Sequence, residues 1–272
     1  MHLSFFGVAE PAFRLMVFVG VLLLLLAAEL RWPRKKLHRG HRRWPANLGI
    51  LVLGSLTVRL MGSLAAPLLA VGSALIAEQH GAGLLRWLSL PGWLSVLIGL
   101  LLLDLLIYAQ HRAFHRIPLL WRIHRMHHAD TDIDVTTALR FHPLEIALSM
   151  LIKVAAVWLL GVSALTVVVF EVFLNVCAMF NHANLRLPLG LDRVLRQFVV
   201  TPDMHRVHHS VDAQEHQSNF GFNLSVWDRL FKSYRAQPQA GHAAMRIGLP
   251  EFPGLQTEKL WWCLKVPFAG NR

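Results

Sequence analysis

Between Asp104 and His128 the chain reads DLLIYAQHRAFHRIPLLWRIHRMHH, a stretch that begins apolar and ends crowded with imidazoles. Asp104, Tyr108, His111 and His115 are spaced four, three and four residues apart, which puts them on one stripe of a helix. Pro118 ends or kinks that helix. Beyond it His124, His127 and His128 recur at i, i+3 and i+4, so one helical turn presents three rings, two to one metal and one to its neighbour. The same spacing returns at His205, His208 and His209. Imidazoles placed this way are poor core material, because each buried ring nitrogen needs a partner. They are good ligands: neutral imidazole is the commonest protein donor to iron, copper and zinc. His142 and His182 bracket an apolar stretch and bring the candidates to ten, enough for two metals with about five nitrogens each and room for a small ligand.

Other side chains would support such a site. Metal-bound histidine usually gives its second N–H to a carboxylate, amide or carbonyl. Asp104, Tyr108 and Asn184 are therefore the candidate catalytic residues beside the ligands. Glu171, Asn175 and His182 also share a helical face. An acid inside an apolar span marks a functional site or pairs with a cation, and for Asp104 and Glu171 the cations at hand are Arg59 and Lys153. Asp130, Asp132 and Asp134 follow the first triplet as hydrogen-bonding partners or as solvated loop acids. His142, in RFHPLE, binds metal, hydrogen-bonds to a ligand or starts the helix at Pro143. His2, His38, His41, His80, His216 and His242 follow no pattern and read as bystanders.

These residues need a scaffold, and the composition names one. The 272 residues are 54% hydrophobic with a mean hydropathy of +0.44, which belongs to a membrane protein. The net charge of +11 comes from basic residues that lie mostly between apolar spans, so no nucleic-acid partner is expected. Two cysteines without a CxxC pair argue against a disulfide framework or a thiolate zinc site. Apolar spans are expected at about Ala12 to Leu30, Asn47 to Ile76 and Trp93 to Gln110. A further pair, Leu144 to Leu160 and Ser163 to Phe180, turns at Gly161 as two spans or a dipping hairpin. The first lacks a cleavage site and reads as a retained anchor. Seven Lys or Arg between Arg31 and Arg43 place that loop in the cytoplasm, the N-terminus outside and the histidines on the cytoplasmic face. The expected fold is an all-α integral membrane protein of four to five transmembrane or hairpin helices under a cytoplasmic helical cap. It divides into an anchor (1–92), a catalytic domain (93–235) and an interfacial tail (236–272).

HRAFH, HRMHH, RFHPLE, NHAN and HRVHH, followed by SNFGFNLSVWDRLF, resemble the fatty acid hydroxylase/sterol desaturase superfamily of integral membrane oxygenases, over about Leu94 to Phe231. The resemblance implies a non-haem di-iron centre on the cytoplasmic face that activates O2 against a lipid C–H bond. It implies that His111, His115, His124, His127, His128, His182, His205, His208 and His209 are ligands, and extends the set to His142. Some members place two histidines where this chain has His182 alone, followed by Asn184, so one ligand position departs from the pattern.

Breaking an alkyl C–H bond is beyond acid–base side chains and calls for a redox metal. Two electrons per O2 are needed, and the chain has neither a dinucleotide fingerprint nor a haem domain. A separate electron-transfer protein is therefore expected on the cytoplasmic face, near Arg112, Arg116, Arg122 and Arg125, unless these only mark topology. The expected activity is hydroxylation of a sterol, fatty acyl or related lipid. Desaturation at the same site is the alternative. A zinc-binding or metal-transport protein is the alternative of another class, disfavoured because the histidines fall outside the spans.

Overall fold

The computed structural model describes residues 4–270, so His2 lies outside the described residues. A short hairpin of β1 (Ser4–Phe5) and β2 (Val8–Ala9) leads into helices. In chain order these are α1 (Glu10–Arg31), α2 (Trp44–Leu64), α3 (Ala70–Gln79), α4 (Leu84–Trp87), α5 (Gly92–Arg116), α6 (Pro118–His128), α7 (Pro143–Leu160), α8 (Ala164–His182), α9 (Leu189–Leu195), α10 (Pro202–His208), α11 (Ala213–His216), α12 (Val226–Leu230), α13 (Gly241–Ala244) and α14 (Leu260–Lys265). Among the described residues five helices, α1, α2, α5, α7 and α8, are long and apolar enough to cross a membrane. The chain is an all-α, multi-pass membrane protein.

Sequence punctuation explains most boundaries. Ile117 precedes Pro118 and is forced extended (φ −94°, ψ 116°), so α5 folds sharply into α6, with Pro118 opening the new helix. Gly161 ends α7 in the left-handed region (φ 66°), and Ser163 caps α8 by accepting from the Thr166 N–H. A Cβ at Gly161 would also lie 2.5 Å from the Ala82 carbonyl oxygen, so only glycine fits this tip. The second expected span is corrected: helix stops at Leu64. Ala65 is extended, Ala66–Leu68 forms a 3-10 turn around Pro67, and α3 packs back on α7 and α8. Arg59 is exposed near that end of α2, where its long side chain can snorkel.

Leu103 and Ile107 of α5, Val157 of α7, Val167 and Phe170 of α8, and Ala70 and Ala74 of α3 form the main core. A second core joins Ala46 and Ile50 of α2 to Met126 of α6 and to Cys263 and Val266 near the C-terminus. α2 and the C-terminal segment thus clamp the histidine-bearing α6. The basic loop is equally tied down. Arg34 pairs with Asp203 at 2.7 Å, Lys35 Nζ reaches the Met245 carbonyl at 2.7 Å, and Arg39 pairs with Glu258.

Candidate metal centre

α5, α6, α8 and α10 bring nine imidazoles into two groups. His111, His115, His124, His128 and His208 form one, and His127, His182, His205 and His209 the other. Within each group the candidate ligand nitrogens lie within 4.8 Å of one another, and every ring is buried. Helical periodicity sorts them: the i, i+4 pair of each triplet faces one group and the residue at i+3 faces the other.

Main-chain carbonyls fix the ring orientations. Nδ1 of His111 lies 2.8 Å from Phe220 O, that of His208 2.7 Å from Ser218 O, that of His127 3.1 Å from Arg140 O and that of His182 2.7 Å from Ala178 O. A carbonyl only accepts, so each of these Nδ1 atoms carries the proton and each Nε2 of the neutral ring is a bare lone pair. Yet His111 Nε2 sits 3.0 Å from His208 Nε2, and His127 Nε2 sits 3.1 Å from His182 Nε2. Two acceptors face each other with no hydrogen between them. A cation held by both rings would turn that repulsion into binding, and a nitrogen-only donor set suits iron, copper, nickel or zinc. Five nitrogens in one group exceed the four donors that a structural zinc takes.

Extra protons do not relieve the crowding. Burial pushes the His124 ring down to about 3. Burial, with mutual repulsion of the rings, holds His127, His128, His205, His208 and His209 well below the ordinary histidine value. The rings stay neutral, the state in which they bind metal.

His142 stands apart from both groups. Its Nδ1 accepts from the Leu144 N–H at 3.2 Å, capping α7, and its Nε2 lies 3.3 Å from Leu264 O. It starts the helix, as the third of its three sequence readings has it. Three residues on, Glu145 Oε1 takes a hydrogen bond from His124 Nδ1 at 2.7 Å.

Asp104 and Tyr108 reach the histidines only through a loop. Asp104 Oδ2 accepts from Trp227 Nε1 at 2.7 Å, and the Tyr108 hydroxyl meets Ser233 Oγ at 2.8 Å. Ser233 Oγ donates to Asp228, which also accepts the Phe220 and Gly221 N–H groups at 2.7 Å each. That loop supplies the Phe220 carbonyl to His111. Asn184 bridges the basic loop instead: its Nδ2 donates to Lys35 O at 2.7 Å, and its Oδ1 accepts from Lys35 N and Arg206.

The loop acids are neither solvated nor on the rings. Asp130 and Asp134 both pair with the fully buried Arg43, and the Asp132 carboxylate accepts the main-chain N–H groups of His38 and Arg39. Asn47 and Arg140 continue this network, Arg140 Nη1 donating to Asn47 Oδ1 at 2.9 Å while its own carbonyl holds His127. Glu171 pairs with Lys153 at 2.5 Å and Arg14 at 2.6 Å, the charge-neutralising alternative. Among the expected docking arginines, Arg122 and Arg125 are bonded to carbonyls of the C-terminal segment, which leaves Arg116 exposed and Arg112 half-buried.

His216 was passed over in the sequence. Its buried ring lies 4.6 Å from that of His128 and 4.7 Å from that of His115. Seven residues beyond His209, across a turn and the new cap at Asp212, it has no periodicity to betray it.

A profile of the Fatty acid hydroxylase family matches residues 96–233. The chain is 28% identical over 150 residues to ornithine lipid hydroxylase OlsE of Rhizobium tropici, covering 55% of this chain and 44% of that protein. It is 28% identical over 166 residues to human alkylglycerol monooxygenase, covering 60% and 35%. It is 26% identical over 147 residues to rat cholesterol 25-hydroxylase, covering 53% and 48%. The chain thus spans less than half the length of each of these three relatives. No solved structure matches it.

Proposed function

The chain belongs to the fatty acid hydroxylase family, and on that premise we propose that it is a membrane-bound di-iron oxygenase that hydroxylates a C–H bond of a lipid. One oxygen atom of O2 enters the C–H bond and the other leaves as water, with two electrons from a separate donor protein and two protons from solvent. The names of the relatives, an ornithine lipid hydroxylase, an alkylglycerol monooxygenase and a cholesterol 25-hydroxylase, favour hydroxylation over desaturation and leave the lipid class open.

The observation that carries this reading is the pair of facing lone pairs, His111 with His208 and His127 with His182. Iron held by these histidines would supply the oxidising power that side chains lack. The chain's own residues do the rest. Ser218, Phe220, Ala178 and Arg140 carbonyls and the Glu145 carboxylate set the tautomers. Phe141 and Phe222 each border rings of both groups, Phe141 at 4.5 Å from His127 and Phe222 at 6.0 Å from His111. They keep water from the groups and give an alkyl chain an apolar surface to lie on. His182 ends α8, and His111 and His115 lie in the last turns of α5, so the groups sit at one membrane edge. The basic loop shares that edge, which argues for the cytoplasmic side.

Metal analysis and Mössbauer spectra of protein grown on iron-57 test this directly. Two coupled irons per chain are expected, with O2 consumed when lipid and a reductant are supplied. Zinc as the sole metal in natively purified protein, with no O2 uptake, would overturn the reading.

A further inference from the structure

On the cap, the residues that follow α9 are bonded to the start of α12. Ser225 Oγ and Arg229 Nη2 both donate to Arg196 O, at 2.8 and 2.9 Å, and Ser225 N donates to Phe198 O at 3.1 Å. Their outer surface is apolar and open: Leu189, Val194, Phe198, Val226, Leu230 and Phe231 are 42–75% exposed. Scattered exposed apolar residues are ordinary, but a contiguous patch marks a surface that something covers. The charges around this one have a single sign. Arg186, Arg193 and Lys232 are exposed, while the only acids of residues 183–201 and 220–235, Asp192 and Asp228, are buried.

The depth of the patch follows from α5. Its 25 residues span about 37 Å at 1.5 Å per residue, against about 30 Å of hydrocarbon. Asp104 lies twelve residues before Arg116, about 18 Å along the axis. Even with the whole overhang on the cap side, Asp104 is about 10 Å inside the apolar layer. Trp227 of α12 donates to that carboxylate, and Phe231 stacks on Tyr108 with ring centroids 5.3 Å apart. α12 is therefore held beside a part of α5 that is within the bilayer, and the residues that follow α9 are bonded to α12.

We propose that α9 and α12 form a wedge seated in the leaflet on the cap side, its apolar face among the acyl chains and Arg186, Arg193 and Lys232 on anionic headgroups. An interfacial segment with an apolar face and a basic rim binds membranes in this way. The proposal rests on α5 crossing the bilayer and is independent of which metal the histidines hold.

Spin labels on Phe198→Cys and Leu230→Cys test it, in full-length protein with Cys177 and Cys263 replaced by alanine. Gln214→Cys, on an exposed face of the cap, is the aqueous control. Each labelled protein is placed in nanodiscs of phosphatidylcholine with or without phosphatidylglycerol, and collision with O2 and with a water-soluble nickel chelate is measured. The two patch labels are expected to collide with the chelate several-fold less than Gln214→Cys does and to favour O2. Phosphatidylglycerol is expected to deepen them, an effect lost in R186E/R193E/K232E. Patch labels as accessible to the chelate as the control, or shielded only after a soluble protein is added, would overturn the wedge. Equal depth in both lipid compositions would overturn its preference for anionic lipid.

Discussion

His142 and Glu145 stand three residues apart at the start of α7 and take opposite roles toward the histidine groups. His142 turns both nitrogens to the main chain, one to Leu144 N–H and one to Leu264 O. Replacing it with alanine is expected to leave the iron content unchanged and to destabilise the protein by about 1 kcal/mol, the usual worth of an N-cap; metal analysis beside thermal melting checks both halves. Glu145 is buried and holds His124 by Nδ1. Glu145→Ala is expected to weaken metal binding by about 10–100-fold, as loss of an outer hydrogen-bond partner does, while Glu145→Gln retains an acceptor and most of the affinity. Competition with a chelator measures the difference. No local sequence rule separates the two residues. RFHPLE marks a helix start, but only the fold shows that the carboxylate faces His124 and the imidazole does not.

At the scale of elements, the helices were legible and their cross-links were not. The 4-3-4 stripe of Asp104, Tyr108, His111 and His115 does lie on one continuous α5, and Pro118 does divide α5 from α6, because both follow from local geometry. The use of that stripe was hidden. Asp104 and Tyr108 hold residues 220–233, more than a hundred positions away, and that segment holds His111 in turn. Asp228 is its centre, accepting from Phe220, Gly221 and Ser233. Asp228→Ala strands buried donors at about 1–3 kcal/mol each and frees the Phe220 carbonyl. Iron is expected to fall from two per chain toward one, lost from the five-histidine group, and a Mössbauer signal reduced to uncoupled iron would show it. An unchanged two-iron spectrum would mean that the loop does not position His111. The break at Ala65 escaped detection for the opposite reason, since apolar character continues straight through Pro67 and hydropathy alone sees one span.

For the whole molecule, stability should hang on two buried devices. Arg43 is fully buried between Asp130 and Asp134 and ties the start of α2 to the segment after the first histidine triplet. Arg43→Met leaves two buried carboxylates without their cation, a loss of about 3–5 kcal/mol, to be read from denaturant or thermal unfolding in detergent. The second would be the metal of the proposed centre. An ion bound only by the folded state at a thousand times its dissociation constant adds about 4 kcal/mol. Stripping iron is expected to lower the melting temperature by several degrees, and restoring ferrous iron is expected to recover it. Composition announced the membrane, and spacing announced the histidine groups. The ion network could not be read in advance, because an arginine and its aspartates 87 and 91 positions apart share no period.

The two histidine groups also differ in how far along the chain their members lie. Four of the five in one group come from the α5–α6 hairpin, His111 to His128, and only His208 arrives from afar. The other group draws His127, His182, His205 and His209 from three separate helices and the residue that follows α10. Closing a long loop costs more conformational entropy than closing a short one, and distant contacts form late. The four rings of the hairpin can therefore approach one another early in folding, whereas His208 joins them, and the neighbouring group forms, only once α8 and α10 have docked.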